Sequence, residues 1–179
     1  MSLSRAQVVD AAYAVLGEQG LAGTSMRRVA TELGVQPGAL YYHVPSKQDL
    51  LTEVAVRILA AGPVSGVDPR QAAHDLRAAL LRVRDGAEVV SFVRAFRPEA
   101  LEPLHALPGL FGGLPPGRAQ WAARTLVHYV LGFVAEEQNR DELVRSTIVA
   151  DEPMRATESE EAFRFGVDAI VEGLTVLGA

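Results

Sequence analysis

Two short helical runs joined by a glycine restrict what this chain can fold into more than any other stretch. They lie in TSMRRVATELGVQPGALYYHVPSK, residues 24–47. Thr24 or Ser25 can cap the first run, since a side-chain oxygen there accepts from a free N–H of the opening turn. Val29, Ala30 and Leu33 recur at helical spacing, which gives that run one apolar face. Gly34 stands where a left-handed residue closes the last carbonyls. Pro37 then suits the first position of a second helix, where no N–H is missed. Two short helices about a tight glycine turn form the helix-turn-helix unit, which lays its second helix in a DNA major groove.

The outer residues of this unit are the candidate readers. Arg27 and Arg28 open the first helix, and arginine can hold guanine O6 and N7 with two parallel bonds or clamp a phosphate. Gln36 can pair with adenine or only begin the helix. Pro37 sets the helix start, Gly38 permits close approach to a backbone, and Ala39 can touch a thymine methyl. Tyr41, Tyr42 and His43 are consecutive and cannot share one face. At least one is therefore expected to pack inward, as is Leu40. Tyr42, His43 and Lys47 are the candidates for phosphate. His43 has no second ligand at helical spacing, so no metal is expected there.

The chain has 179 residues and a net charge of −5, which at first opposes a nucleic-acid role. The distribution removes the objection. Residues 1–60 balance five basic against five acidic side chains, and the excess acid lies in residues 61–179. Phosphate contacts depend on the local surface, not on the total charge. There is no cysteine, which excludes disulfides, thiolate metal sites and a cysteine nucleophile. With no apolar leader and no long apolar run, a cytoplasmic protein without membrane contact is expected. No glycine-rich phosphate loop, H-E-x-x-H or G-x-S-x-G occurs, so no catalytic residue, cofactor or metal is expected.

Around this unit the pattern is all-α. Ser4 and Gln7 form a capping box for a first helix that Gly20 closes. Pro45 ends the second helix of the unit, and Ser46 caps a linking helix over about 47–60. Residues 61–68 (AGPVSGVD) read as a linker with Asp68 as a cap. Domains are accordingly expected at 1–46 and 47–179. Pro69 starts a helix to about Arg84, closed by Gly86, and a shorter run over 87–96 carries Phe92 and Phe96. Residues 98–117 hold five prolines and four glycines, which leaves short helical pieces and a loop anchored by Leu107, Leu110, Phe111 and Leu114. That loop is either a pocket wall or a loose connection. Residues 118–139 form the longest helix, apolar nearly all round, and 139–158 read as a loop.

Trp121, Thr125, His128, Gly132 and Glu136 share one stripe of the long helix, mixing polar groups with an aromatic as ligand pockets do. Taken alone, His128 reads as a hydrogen-bonded core histidine, and Thr125 as bonding its own backbone. In a last helix from Ser159, Phe163, Val167, Ile170, Leu174 and Leu177 make a heptad-type seam. It is either internal or, with helix 118–139, half of a four-helix dimer interface over about 118–139 and 159–178. The dimer is preferred, because two reading heads on a two-fold axis match a palindromic site.

The run G-x-x-x-T-S-x-R-x-V-A-x-x-L-G-V from Gly20, with LYYHV at 40–44 and S-K-x-x-L-L from Ser46, resembles the N-terminal domain of the TetR family of bacterial transcriptional regulators. ALLRVRDGAEVV (79–90), VLGFVAEEQ (130–138) and FRFGVDAIVEGL (163–174) are similar to the ligand-binding domain of that family's tetracycline repressors. The resemblance implies an all-α dimer with an N-terminal three-helix DNA-binding domain and a C-terminal helical ligand-binding and dimerisation domain. It assigns base contact to Arg27 and phosphate to Arg28. It also implies a double-stranded operator and a small-molecule effector as partners.

The same resemblance argues against magnesium–tetracycline as the effector. The pattern's metal-holding histidine falls at Val90, a second histidine at about Pro63, and its asparagine at Ala72. Arg97-Pro98 survives only after three extra residues, and Glu136 alone cannot satisfy magnesium. The expected function is a homodimeric repressor released by a small, largely apolar ligand. Candidate lining residues are Phe92, Phe96, Arg97, Phe111, Trp121, Thr125, His128, Phe133 and Glu136, most of them acceptable core residues too. The alternatives are a helix-turn-helix regulator without a small-molecule inducer, or an all-α enzyme.

Overall fold

The computed structural model describes residues 3–60, 68–150 and 155–176, and within them every regular element is helical. Helix α1 (Arg5–Gly23) is opened by the expected capping box: Ser4 Oγ accepts from Gln7 N, and Gln7 Oε1 accepts from Ser4 N. Its helical geometry breaks at Gly20, where φ is 69°. α2 (Met26–Glu32) is capped by Ser25, while Thr24 is buried and donates to Gly20 O at 2.8 Å. Gly34, at φ 66°, turns the chain into α3 (Pro37–Tyr41). That helix stops before Pro45, at Tyr41.

Helix α4 (Lys47–Ala60) is the joint of the molecule. Ser46 Oγ accepts from Asp49 N and donates to Asp49 Oδ2, closing its first turn. The buried face, Leu50, Leu51, Val54, Ala55, Ile58 and Leu59, packs against α1 on one side and against α5 (Pro69–Leu81) and α6 (Gly86–Phe96) on the other. Ion pairs Arg5–Glu53 and Arg57–Asp10 add α1–α4 ties. The proposed linker 61–67, with Pro63, lies outside the described residues; Asp68 caps α5 through Arg70 N.

The turn after α5 differs from the sequence reading. Gly86 does not close α5 but opens α6, and the left-handed residue is Asp85, at φ 58°. A Cβ on Gly86 would stand 2.4 Å from Leu80 O, so the close approach of backbone to backbone sets the glycine. Three 3-10 turns (Pro98–Ala100, Glu102–Leu104, Leu107–Phe111) then cross to α7. The segment 107–111 is thus packed rather than loose, with Leu107 and Phe111 buried against α7.

Helices α7 (Pro116–Arg145) and α8 (Arg155–Val176) both exceed the sequence expectation. The polar run 139–158, read as a loop, is helical at both ends, 139–145 and 155–158. Charged residues there extend a helix whose packing is set elsewhere, and propensity does not oppose it. The seam of α8 is internal: Phe163, Val167 and Val171 are buried against α5 and α7, with Ile170 and Leu174 half-buried. Leu177 lies outside the described residues. Phe163 is ringed by aromatic partners, edge-on to Phe133 and His74 and stacked on Tyr129. Arg77 lies over the same ring at 4.9 Å and pairs with Glu137 and Glu160.

Gln138 is the buried polar residue that closes this packing. Its Nε2 donates to Leu80 O (3.1 Å) and Val83 O (2.8 Å), and its Oε1 accepts from Ala87 N (3.1 Å). One amide on α7 therefore satisfies three backbone groups of the α5–α6 turn, as a buried polar side chain must be satisfied.

Candidate functional site

Leu40 is the pivot of the reading head. It is fully buried with Val29, Ala30 and Val44, which fixes α3 across the head and turns its other residues out. Gln36, Gly38, Ala39, Tyr41 and Tyr42 are all exposed, and Pro37 is half-buried at the first helical position. Gln36 makes no side-chain cap bond, which leaves its amide free to face outward. Neither tyrosine packs inward, and of the three consecutive residues only His43 is drawn partly in. Tyr41 is 50% and Tyr42 is 90% exposed, because Leu40 and Val44, four residues apart, already fill the inner face. His43 is half-buried and meets the Tyr42 ring edge-on, with centroids 5.5 Å apart.

The two arginines of α2 are held differently. Arg27 is exposed and enters no ion pair with a described residue. Arg28 pairs with Glu32 at 3.4 Å, and Gln19, with its amide oxygen turned inward, accepts from its Nε and Nη2 at 2.9 Å each. Arg28 is thus braced between α1 and α2, while Arg27 is free to reach a base edge. Lys47 is exposed at the start of α4. Gly38 has no atom within 4 Å of where a Cβ would stand, so nothing inside the chain requires glycine there.

Among the cavities lined by described residues, the nine C-terminal candidates do not gather around one. Phe111 lines a hollow of about 430 Å³ between the N-terminus of α5 and the end of α8. Phe92 and His128 line a groove of about 610 Å³ between α6 and α7. Phe133 and Glu136 line a third, of about 300 Å³, between α7 and the start of α8. Phe96 is exposed and packs on Phe92 at 5.0 Å. Trp121 is 69% exposed, and Thr125 donates to Trp121 O at 2.9 Å. His128 is not a core histidine: it is exposed, and partial burial beside Arg94 and Arg124 holds its pKa below the usual value. Arg97 is engaged elsewhere, with Nη1 2.7 Å from Asp49 Oδ1.

Sequence reasoning missed the groups that join the head to the other helices. Asp85 Oδ2 accepts from Leu21 N at 2.7 Å, and Arg84 Nη1 donates to Glu18 O at 3.3 Å. Gly20 makes room for this strap, since a Cβ there would stand 2.6 Å from Asp85 Oδ2. The R-D-G run was visible in the sequence, but its partners lie more than 60 residues away and no local spacing reports them.

Two family models and several known proteins match the chain. Residues 8–54 match the family described as bacterial regulatory proteins, tetR family, and residues 68–147 match the tetracyclin repressor-like C-terminal domain. The chain is 30% identical to tetracycline repressor protein class D of Escherichia coli, over 97% of this chain and 90% of that one. A TetR variant of Acinetobacter baumannii AYE, solved in complex with minocycline, superposes with a TM-score of 0.80 at 31% identity, covering 99% of each chain. BioQ, solved with its natural double-stranded DNA operator, gives 0.78 at 35% identity over 96% of this chain and 98% of its own. With near-complete coverage by relatives of this kind, and with a free Arg27 and an outward-facing α3 behind a buried Leu40, the chain belongs to the tetR family of bacterial regulatory proteins.

Proposed function

We propose that this protein is a homodimeric transcriptional repressor that binds a palindromic operator through α2 and α3 and is released by a small organic ligand held among its C-terminal helices. The observation that carries the reading is the outer row of α3. Gly38, Ala39, Tyr41 and Tyr42 are exposed without a folding reason, and adjoining exposed apolar residues of this kind mark a contact surface where a lone one would not. Arg27 reads a base, Arg28, braced from behind, takes phosphate, and Gln36 to Ala39 face the base edges. Tyr42, His43 and Lys47 hold the backbone on either side. We place the boundary between the reading head, 1–46, and the effector part, 47–179, at the start of α4, which acts as the linking helix.

The second copy is expected to cover α7 and α8. Trp121, Thr125, His128 and Gly132 remain exposed along one stripe of α7, and Phe165 and Val176 remain exposed on α8. This supports a dimer contact for the Trp121 stripe in place of the ligand wall read from sequence. No described helix is long and apolar enough to cross a membrane, consistent with action on cytoplasmic DNA. For release, the ligand must bind the DNA-incompetent arrangement more tightly, and a typical coupling of about 1–3 kcal/mol changes operator affinity roughly 5–150-fold.

The test is a titration against the intergenic DNA beside the protein's own gene, with wild type and Arg27→Ala, at two salt concentrations. A palindrome bound tightly, less so at the higher salt, and largely lost in Arg27→Ala supports the reading. A folded dimer that protects no such site, and that selects no sequence from a random pool, rejects it.

A further inference from the structure

Arg94 and Arg124 sit on the rim of a hollow of about 350 Å³ between the end of α6, the 3-10 turns and the first half of α7. Its floor is apolar and buried, with Leu101, Leu107 and Val127. Neither guanidinium has a carboxylate within ion-pair distance among the described residues, although Arg70, Arg77, Arg84 and Arg97 each have one. Arg94 is half-buried. The charge that acts on it is the like charge of Arg124, and both burial and that repulsion press its pKa below the usual arginine value. His105, on the same rim, lies with Nε2 3.1 Å from Pro98 O. Arg124 is exposed at the mouth, while the half-buried Arg94 faces its like charge without an anion; that raises the free energy of the empty protein, and an oxyanion relieves it.

We propose that this hollow is the binding site for a small organic acid, with the oxyanion between Arg94 and Arg124 and the apolar body on Leu101, Leu107 and Val127. The inference rests on the ligand-responsive reading above and gives its effector a chemical class. An inorganic anion would use the rim and leave the floor wet. A neutral apolar molecule would use the floor and leave the guanidinium pair unanswered. The volume suits a compact one- or two-ring body, at the lower end of the roughly 300–1,000 Å³ usual for small-molecule pockets. The site also adjoins Arg97 and Pro98, where α6 ends, so occupancy would be felt at the contact between α6 and α4.

The experiment is calorimetric titration of the full chain, without DNA, using 1-naphthoate and its uncharged analogue 1-naphthylmethanol. Wild type is expected to prefer the acid by about tenfold or more, the size of one charge-assisted hydrogen bond. Arg94→Gln and Arg124→Gln should each erase most of that preference with the alcohol's affinity unchanged, and Arg94→Lys should keep part of it. Thermal stability of the glutamine variants should be equal to or above wild type, since a repulsion is removed. Equal affinity for acid and alcohol overturns the proposal. So does a wild type that binds neither while Arg94→Gln weakens the dimer, because the guanidiniums then serve a carboxylate of the second copy. Acid binding that depends on Arg94 but leaves operator affinity unchanged upholds the site and sinks only its role as effector.

Discussion

Arg97 at the end of α6 donates from Nη1 to Asp49 Oδ1 in the first turn of α4, across 2.7 Å and 48 positions of sequence. The same carboxylate accepts from Ser46 Oγ at 2.6 Å, and Ser46 in turn receives Asp49 N. The end of one helix is therefore fastened to the start of another, immediately behind the reading head. At the opposite end of α6, Asp85 holds Leu21 N. A ligand that displaces α6 would have to strain or break one of these two straps. That is the physical form a coupling between the halves can take.

The Arg97–Asp49 strap is best measured as a double-mutant cycle with Arg97→Gln and Asp49→Asn. Both side chains are part-exposed, so the stability coupling should be no more than about 1 kcal/mol. Its larger effect should fall on ligand response: the ratio of operator affinities with and without effector should shrink in either single variant and shrink little further in the double. Full additivity of the response would show that the pair carries no coupling.

The pH dependence follows from the same carboxylate. The hydrogen bond from Ser46, and then the Arg97 guanidinium, hold Asp49 below its ordinary pKa. The unfolded chain then binds more protons in that window, so stability rises with pH across it. The contribution is complete above the unfolded value of about 3.9 and is lost as pH falls through the lowered folded value. Melting temperature recorded from neutral pH downward should fall less steeply below about pH 4 in Asp49→Asn than in wild type. Identical slopes would contradict the assignment.

Tyr42 separates folding from reading. It is the most exposed aromatic of the head and contacts only the His43 ring among its aromatic neighbours. Tyr42→Ala should leave the unfolding free energy within about 0.5 kcal/mol of wild type, as surface changes do, yet weaken operator binding at every sequence tested. A fall in stability matching the fall in affinity would mean that the ring serves the fold.

Much of this head was legible because its signals are local. Ser4 and Gln7, Ser25, Gly34, Pro37 and Ser46 each act on residues within four positions, and capping chemistry depends on nothing further. What failed depended on distant groups. Gly86 reads as a helix end until Leu80 O is seen beside it. The heptad seam of α8 reads as an interface until α5 and α7 are seen to cover Phe163 and Val167. The Trp121 stripe mixes polar and aromatic groups as a pocket would, and in a single chain Trp121, Thr125 and His128 are exposed. The rim cations escaped notice because a missing carboxylate has no sequence signature.

Gln138 gives the strongest test of the packing. It is buried on α7 and bonds three backbone groups of the α5–α6 turn. Gln138→Leu would fill a similar space but leave Ala87 N and Leu80 O without these partners, while Val83 O keeps the N–H of Gly86. A buried unsatisfied group costs about 1–3 kcal/mol, and partial relaxation of a turn recovers some of it. A net loss of roughly 2–4 kcal/mol is expected by chemical denaturation, within the range of large single-site effects. Asp85 lies one residue from Gly86 and two from Ala87, so the disturbed turn should also loosen the strap to Leu21. Hydrogen exchange at Leu21 N should then quicken in Gln138→Leu beyond what the lost global stability accounts for. Protection at Leu21 that merely follows global unfolding would show that the amide supports the fold and has no part in holding the reading head.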